Sequence, residues 1–390
     1  MMIKAEKKML DFVQKNSSVL FLLAVLVIGC CMRIAGFHFL SNDAKKYLLK
    51  WYDKIAVEGI SKQVGNYNIP YQIIIYILTK LPLKPLHAYK VLSCAFDLGM
   101  ACLGGLMVWA LSEKEKVFRG IMAFTLVFCS PIVILNSAVW AQCDSIYTFF
   151  GIAALLLLFL EKYGLSFVCL GLAFAFKLQT AFLVPFFLIC YVCRKKFSIL
   201  NFLLIPVTMV VMSLPGLLAG RSVMDILKIY TVQTNTYNKV YMNFPNIYTL
   251  ITDVDGSGHY PMFRKLAILM TILLLGCGLY ICLSKGTRLL SAKVFWGVVI
   301  WSLYTCNLFL PNMHERYAYV LEVISILYCF ITPVSVPLAV VVNLLPVFTY
   351  GSYLFKYRAV PITVSSLISL AVYVAFSCWL YSRLQENREK

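Results

Sequence analysis

The chain has 390 residues, of which 61% are hydrophobic and only 13% charged, and its mean hydropathy is +0.82. That balance excludes a water-soluble globular domain, and apolar runs near the roughly 20 residues of a membrane helix exclude a barrel. The formal charge of +18 is larger than short cytoplasmic loops require, which points to an anionic partner such as lipid headgroups or a lipid-linked phosphate, and not to nucleic acid.

A basic leader with Lys4, Lys7, Lys8 and Lys15 precedes the first apolar run, Ser18 to Phe37. The run exceeds the 7–15 residues of a signal core and shows no small-residue cleavage site before Arg33, so it reads as a retained anchor with a cytoplasmic amino terminus. Residues 38–86 then form a long outer loop. Within it Ser41 and Asn42 are placed to cap a helix, with Tyr47, Leu48, Trp51 and Ile55 on one face and Lys45, Lys46, Lys50 and Lys54 opposite, the pattern of a helix lying in the interface. Ile69 to Leu81 opens at Pro70, closes before Pro82 and is short for a crossing, so it reads as re-entrant or interfacial.

Further apolar runs follow near 87–111, 119–136, 145–160, 165–178, 181–193, 197–216, 264–284, 294–310, 318–332, 334–349 and 360–381. With the first, they predict about twelve transmembrane helices in a single all-α polytopic membrane domain, residues 1–390, with both termini cytoplasmic. The positive-inside rule agrees: the cytoplasmic connections carry Lys114, Lys116 and Arg119, then Arg194, Lys195 and Lys196, then Lys285, Arg288 and Lys293, then Arg383, Arg388 and Lys390. The short outer loops carry fewer cations, chiefly Arg316, Lys356 and Arg358. A second long outer loop, 217–263, holds an amphipathic candidate at Val223 to Val232 and an aromatic, Asn-rich stretch from Tyr237 to Tyr248. Outer cations there and in the first loop (Lys62, Lys228, Lys239, Arg264, Lys265) suit headgroups or a lipid phosphate.

Most of the fourteen cysteines fall inside apolar runs and read as packing residues. Cys190 and Cys193 form the only CxxC, and no second pair or nearby His completes a metal set.

Ionisable groups at membrane depth are costly, roughly 2.5 to 3.5 kcal/mol on insertion scales, so those at the ends of crossings are candidates for function. They fall in four groups: Asp43; Trp140, Gln142 and Asp144; Lys177 and Gln179; His314, Glu315 and Arg316. The predicted topology puts all four on one side, as a shared pocket requires. Each has a plainer reading. Asp43 and Asp144 are placed to cap the helices that follow, Asn136, Trp140 and Tyr147 suit an aromatic belt, and Arg316 is free to pair with Glu315 or snorkel beside a loop His314. Asp97 and Glu322, inside crossings, read as structural partners of basic groups.

The segments SNDAKKYLLKWYDKIAVEG, GNYNIPYQIIIYILTKLP, WAQCDSIYTFF, GLAFAFKLQTAFLVPFF, NFPNIYTL and LPNMHERYAYV run in order across nearly the whole chain. Together they resemble the GT-C superfamily of glycosyltransferases that use polyprenyl-phosphate sugars, and within it the bacterial relatives of the eukaryotic GPI-anchor mannosyltransferase II. The resemblance implies a bacterial plasma membrane enzyme with an outward site. It would move a hexose, mannose-like or glucose-like, from a polyprenyl-phosphate donor to a glycan or lipid-linked acceptor.

It also implies an acidic catalytic base in the first outer loop, and Asp43 is the matching residue. Many relatives have paired acidic residues there, whereas this chain has Asn42 and a lone Asp43, so a divalent metal has no support from the sequence. The chemistry agrees: a phosphate ester of the sugar carries its own leaving group, so one carboxylate suffices to take the acceptor proton. Charge on the departing phosphate must be met by cations and donors, here His314, Arg316 and Lys177. Trp140, Gln142, Asp144, Asn66, Tyr67 and Glu315 are the expected contacts to sugar or acceptor. Two rivals share the topology, a flippase or transporter for lipid-linked oligosaccharide and a polysaccharide polymerase. Transporters favour midplane sites on broken helices in repeated halves, and no internal repeat is evident.

Overall fold

The computed structural model describes residues 3–235, 239–251 and 259–386. Tyr237, where the aromatic stretch of the second loop was expected to begin, and the terminal cations Arg388 and Lys390 lie outside the described residues. Among the described residues the chain is helical apart from one two-residue strand pairing and an isolated bridge between Asn243 and His314.

A polar α1 (Lys4–Lys15) leads into the apolar α2 (Ser17–Gly36). The long segment 38–86 contributes α3 (Leu49–Glu58) and α4 (Ile69–Leu78). Then come α5 (Pro85–Leu111), α6 (Lys116–Phe128), the short α7 (Pro131–Ile134), α8 (Asp144–Phe159), α9 (Tyr163–Phe176), α10 (Val184–Arg194) and α11 (Leu204–Leu218). The long segment 217–263 holds α12 (Val223–Asn235) and β1 (Tyr241–Met242). Beyond it, α13 (Tyr260–Ser284) and α14 (Ala292–Phe309) precede β2 (Met313–His314), and α15 (Tyr319–Ile331), α16 (Val336–Leu354) and α17 (Ile362–Glu386) complete the chain. β1 and β2 pair in parallel, Tyr241 opposite Met313 and Met242 opposite His314.

Among the described residues seven helical stretches are long and apolar enough to cross a membrane: Ser17–Gly36, Pro85–Leu111, Ile199–Leu218, Tyr260–Ser284, Ala292–Phe309, Pro333–Leu354 and Ile362–Leu384. An eighth arises if α6 and Pro131–Val139, bent by 44° to each other, count as one. The bend has a local cause, since Pro131 excludes the preceding residue from helical geometry and Ser130 is extended, with ψ 129°. The other four runs expected to cross are helical but shorter, at α8, α9, Leu178–Arg194 and α15. Large apolar side chains such as Ile34, Leu106 and Ile272 are exposed on the outside of the bundle, where only lipid is a suitable solvent for so many of them.

In the interior α5 packs on α6 and α8, α8 on α9, and α9 on α11, while α14 packs on α15 and α17. Where α5 crosses α6, a Cβ on Gly105 would lie 2.9 Å from the Gly120 carbonyl and one on Gly120 would lie 3.0 Å from the Gly105 carbonyl, so only glycine lets these backbones meet. Asp97 behaves as the sequence suggested. Arg33 Nη2 lies 3.1 Å from its Oδ2, and Ser137 Oγ donates to the same oxygen at 2.5 Å. Glu322 does not: it is fully buried, and neither carboxyl oxygen has a hydrogen-bond partner among the described residues. Arg194, expected as a loop cation, is also buried, because its guanidinium donates to the Leu158 and Leu289 carbonyls at 2.8 Å and closes the ends of α8 and α10 against the 285–291 turn.

The Arg33–Asp97 pair generates a stability prediction. Asp97→Ala strands a buried guanidinium, so the thermal midpoint in detergent should drop by the equivalent of about 3 kcal/mol or more, and the double variant Arg33→Met/Asp97→Leu should recover most of it. A single-variant effect no larger than that of a surface substitution would remove the pair from the fold's framework.

Candidate functional site

One cavity of about 550 Å³ gathers side chains from all four polar groups and from both long segments, 38–86 and 217–263. Its lining includes Asp43, Asn66, Tyr67, Gln142, Lys177, His314 and Arg316. Local backbone irregularities present these residues. A π-helical stretch, Ala44–Leu48, follows Asp43, and a second, Leu135–Val139, ends at Trp140. Such wide turns insert a residue and re-aim side chains, and they are frequent at functional sites. Ala141, between Trp140 and Gln142, adopts φ +64°, a left-handed geometry costly for a residue with a Cβ. Lys177 occupies an extended break (φ −155°, ψ 134°) between α9 and the 3-10 turn at Leu178–Leu183, which releases its side chain from the helix.

Asp43 is half-buried, and both carboxylate oxygens are held. Trp140 Nε1 donates to Oδ2 at 2.9 Å, and Tyr353 Oη donates to Oδ1 at 2.6 Å. The Gln142 amide sits 3.5 Å from Oδ2 and accepts from Tyr67 Oη at 3.2 Å. Burial raises the Tyr67 phenol well above its ordinary range, so it is a neutral donor across the accessible pH range. Ser41, as expected, caps the entry to α3: its Oγ accepts from the Ala44 amide at 3.2 Å and donates to the Trp140 carbonyl at 3.0 Å. The expected face of this helix is corrected by the structure. Ala44, Leu48, Tyr52 and Ile55 are buried against the bundle, while Tyr47 and Trp51 line the cavity on the Asp43 side.

Asp144 is fully buried beneath the cavity, where its carboxylate is shared. Lys177 Nζ binds Oδ1; Asn136 Nδ2 donates to Oδ2 at 2.8 Å and Arg316 Nη1 approaches the same oxygen at 3.5 Å. One carboxylate therefore faces two cations. Arg316 also stands over the Trp140 ring, 5.8 Å from its centroid, and its Nε has no hydrogen-bond partner among the described residues. His314 Nδ1 lies 2.7 Å from Glu315 Oε2, with Glu315 itself buried.

The structure thus brings every predicted site residue into one neighbourhood but in two ranks. Asp43, Asn66, Tyr67, Gln142, Lys177, His314 and Arg316 border the cavity; Trp140, Asp144 and Glu315 lie behind it and hold the residues that do. Trp140, Asp144 and Glu315, expected as contacts to sugar or acceptor, are instead enclosed by protein and do not line the cavity. Sequence reasoning overlooked Tyr353 and Gln233. Gln233, on α12, donates to the Asn66 carbonyl at 2.6 Å and to Asn68 Oδ1 at 3.1 Å, seating the second long segment on the first. Arg221 fastens the same two segments through Gln63 at 2.7 Å, Gln72 at 2.8 Å and the Lys62 carbonyl. Among the described residues no group of three or more His, Cys, Asp or Glu is placed to hold a metal ion.

No protein-family model matches the chain, and no curated protein matches it.

The shared carboxylate makes a prediction about stability. Asp144→Asn leaves Lys177 and Arg316 facing each other without a counter-charge, so the thermal midpoint should decrease by the equivalent of about 3 kcal/mol, and adding Lys177→Met should restore part of it. An unchanged midpoint in the single variant would contradict the arrangement.

Proposed function

We propose that the protein is a membrane glycosyltransferase that transfers a hexose from a polyprenyl-phosphate donor to a glycan or lipid-linked acceptor at the outer face of the membrane. The observation that carries this reading is the pairing, in one cavity at the end of an apolar bundle, of a half-buried carboxylate fixed on both oxygens with a guanidinium and an ammonium that have only one carboxylate between them. The first arrangement suits a base; the second suits an anionic leaving group.

In the proposed reaction Asp43 takes the proton of the acceptor hydroxyl as that oxygen attacks the anomeric carbon. The bond from that carbon to the phosphate oxygen breaks, and the electron pair leaves with the polyprenyl phosphate. Arg316, which borders the cavity, meets the developing charge together with Lys177 and His314. A single displacement inverts the anomeric centre, and the proton ends on Asp43. Asn66, Tyr67, Gln142, Tyr47 and Trp51 offer the polar and aromatic surfaces that sugar rings use. In this reading the short helices α8, α9, Leu178–Arg194 and α15 complete a GT-C-like bundle of about twelve crossings with both termini cytoplasmic, and the outer lysines Lys45, Lys46, Lys50 and Lys54 meet the headgroup layer. The transporter alternative draws no support from the cavity, because its polar groups gather at helix ends and in outer loops.

The test is transfer by the purified full-length protein from polyprenyl-phosphate mannose and polyprenyl-phosphate glucose to a panel of glycan acceptors. Asp43→Asn should lower turnover by about 100-fold or more while leaving donor binding intact; near-normal turnover would refute the base assignment. Arg316→Ala should raise the donor KM by about tenfold or more, the effect of losing one charge-assisted contact, and unchanged donor kinetics would remove Arg316 from the phosphate site.

A further inference from the structure

Tyr353 lies at the end of α16, 310 residues from Asp43 in the chain, yet its hydroxyl makes a 2.6 Å hydrogen bond to Asp43 Oδ1. Its ring stacks on Trp140 with centroids 4.6 Å apart and planes at 21°, and Trp140 donates to the other carboxylate oxygen. Two stacked aromatic groups therefore grip the two oxygens of one carboxylate from one side. Lys356 Nζ covers the Tyr353 ring at 5.1 Å from its centroid. The pair is anchored from beneath, since Tyr350, one turn earlier on α16, packs edge-on against Trp140 at 5.0 Å and accepts from Asn136 at 3.2 Å.

We propose that Tyr353 is a positioning residue for Asp43, holding its carboxylate in the rotamer that presents the remaining lone pairs to the cavity. The proposal rests on the reading of Asp43 as the base. Each carboxylate oxygen has two acceptor sites. Tyr353 occupies one site on Oδ1, and Trp140 occupies one on Oδ2 with the Gln142 amide 3.5 Å from the same oxygen, so the carboxylate cannot rotate without losing these bonds. Because α16 supplies Tyr353 and the segment 38–86 supplies Asp43, the base is set only when the last third of the bundle is docked against the first.

Tyr353→Phe keeps the stacked ring and deletes only the hydroxyl, so it isolates the bond to Asp43 from the packing against Trp140.

The experiment compares wild type, Tyr353→Phe and Asp43→Asn as full-length protein in detergent. First, carbodiimide labelling of Asp43 at one fixed pH is followed by mass spectrometry, with the thermal midpoint as a check on folding. The labelling rate should rise in Tyr353→Phe as the carboxyl is freed, and an unchanged rate would overturn the proposal whatever the enzyme's substrate. Second, transfer from polyprenyl-phosphate mannose or glucose should fall about tenfold in kcat, with donor KM unchanged. A loss confined to KM would assign Tyr353 a structural role only. Full activity in Asp43→Asn would instead sink the reading of Asp43 as base, while the labelling result would still decide whether Tyr353 governs that carboxylate.

Discussion

The site depends on one buried carboxylate being asked to balance two cations. Asp144 opens α8, Lys177 sits at the break after α9, and Arg316 belongs to the loop before α15; their ion contacts are what bring three separate helix ends to one point. In a low-dielectric interior a lone buried cation is strongly unfavourable, so the chain folds only where these ends converge. Arg316 and Lys177 nevertheless both border the cavity, with the Asp144 carboxylate between them.

The two aspartates at this site are divided by environment. Asp144 is enclosed and committed to cations, while Asp43 is half-exposed and held by the neutral donors Trp140 and Tyr353. A carboxylate locked to Lys and Arg has little capacity to accept a proton. One held by an indole and a phenol keeps lone pairs directed at the cavity. Different environments give the same side-chain type different work, and that division underlies assigning proton transfer to Asp43 and electrostatic support to Asp144.

Much of this was legible from residue order. Long apolar runs announced the helices, because burial in lipid requires continuous apolar length, and Ser41 announced the start of the first outer helix by its capping chemistry. The count of crossings was less legible, since α8, α9 and α15 are short helices inside the bundle and their residue lengths alone do not decide a span. The face of the outer helix was misjudged at Tyr47 and Trp51 because the π-helical stretch at Ala44–Leu48 alters the angular phase assumed for a regular helix. Arg194 and Glu322 were misread because neither a carbonyl acceptor nor a missing counter-ion leaves a trace in sequence. Tyr353 was invisible for a related reason: its partner is 310 residues away, and a tyrosine at the end of an apolar helix reads as an ordinary belt residue.

The most direct test of the central claim is photo-crosslinking with a polyprenyl-phosphate hexose that carries a diazirine on the sugar, applied to the full-length protein in lipid nanodiscs and mapped by mass spectrometry. The account predicts adducts confined to cavity residues around Asp43, Tyr67 and His314, competed away by unmodified donor. Saturable labelling elsewhere on the protein, with none in this cavity, would contradict it.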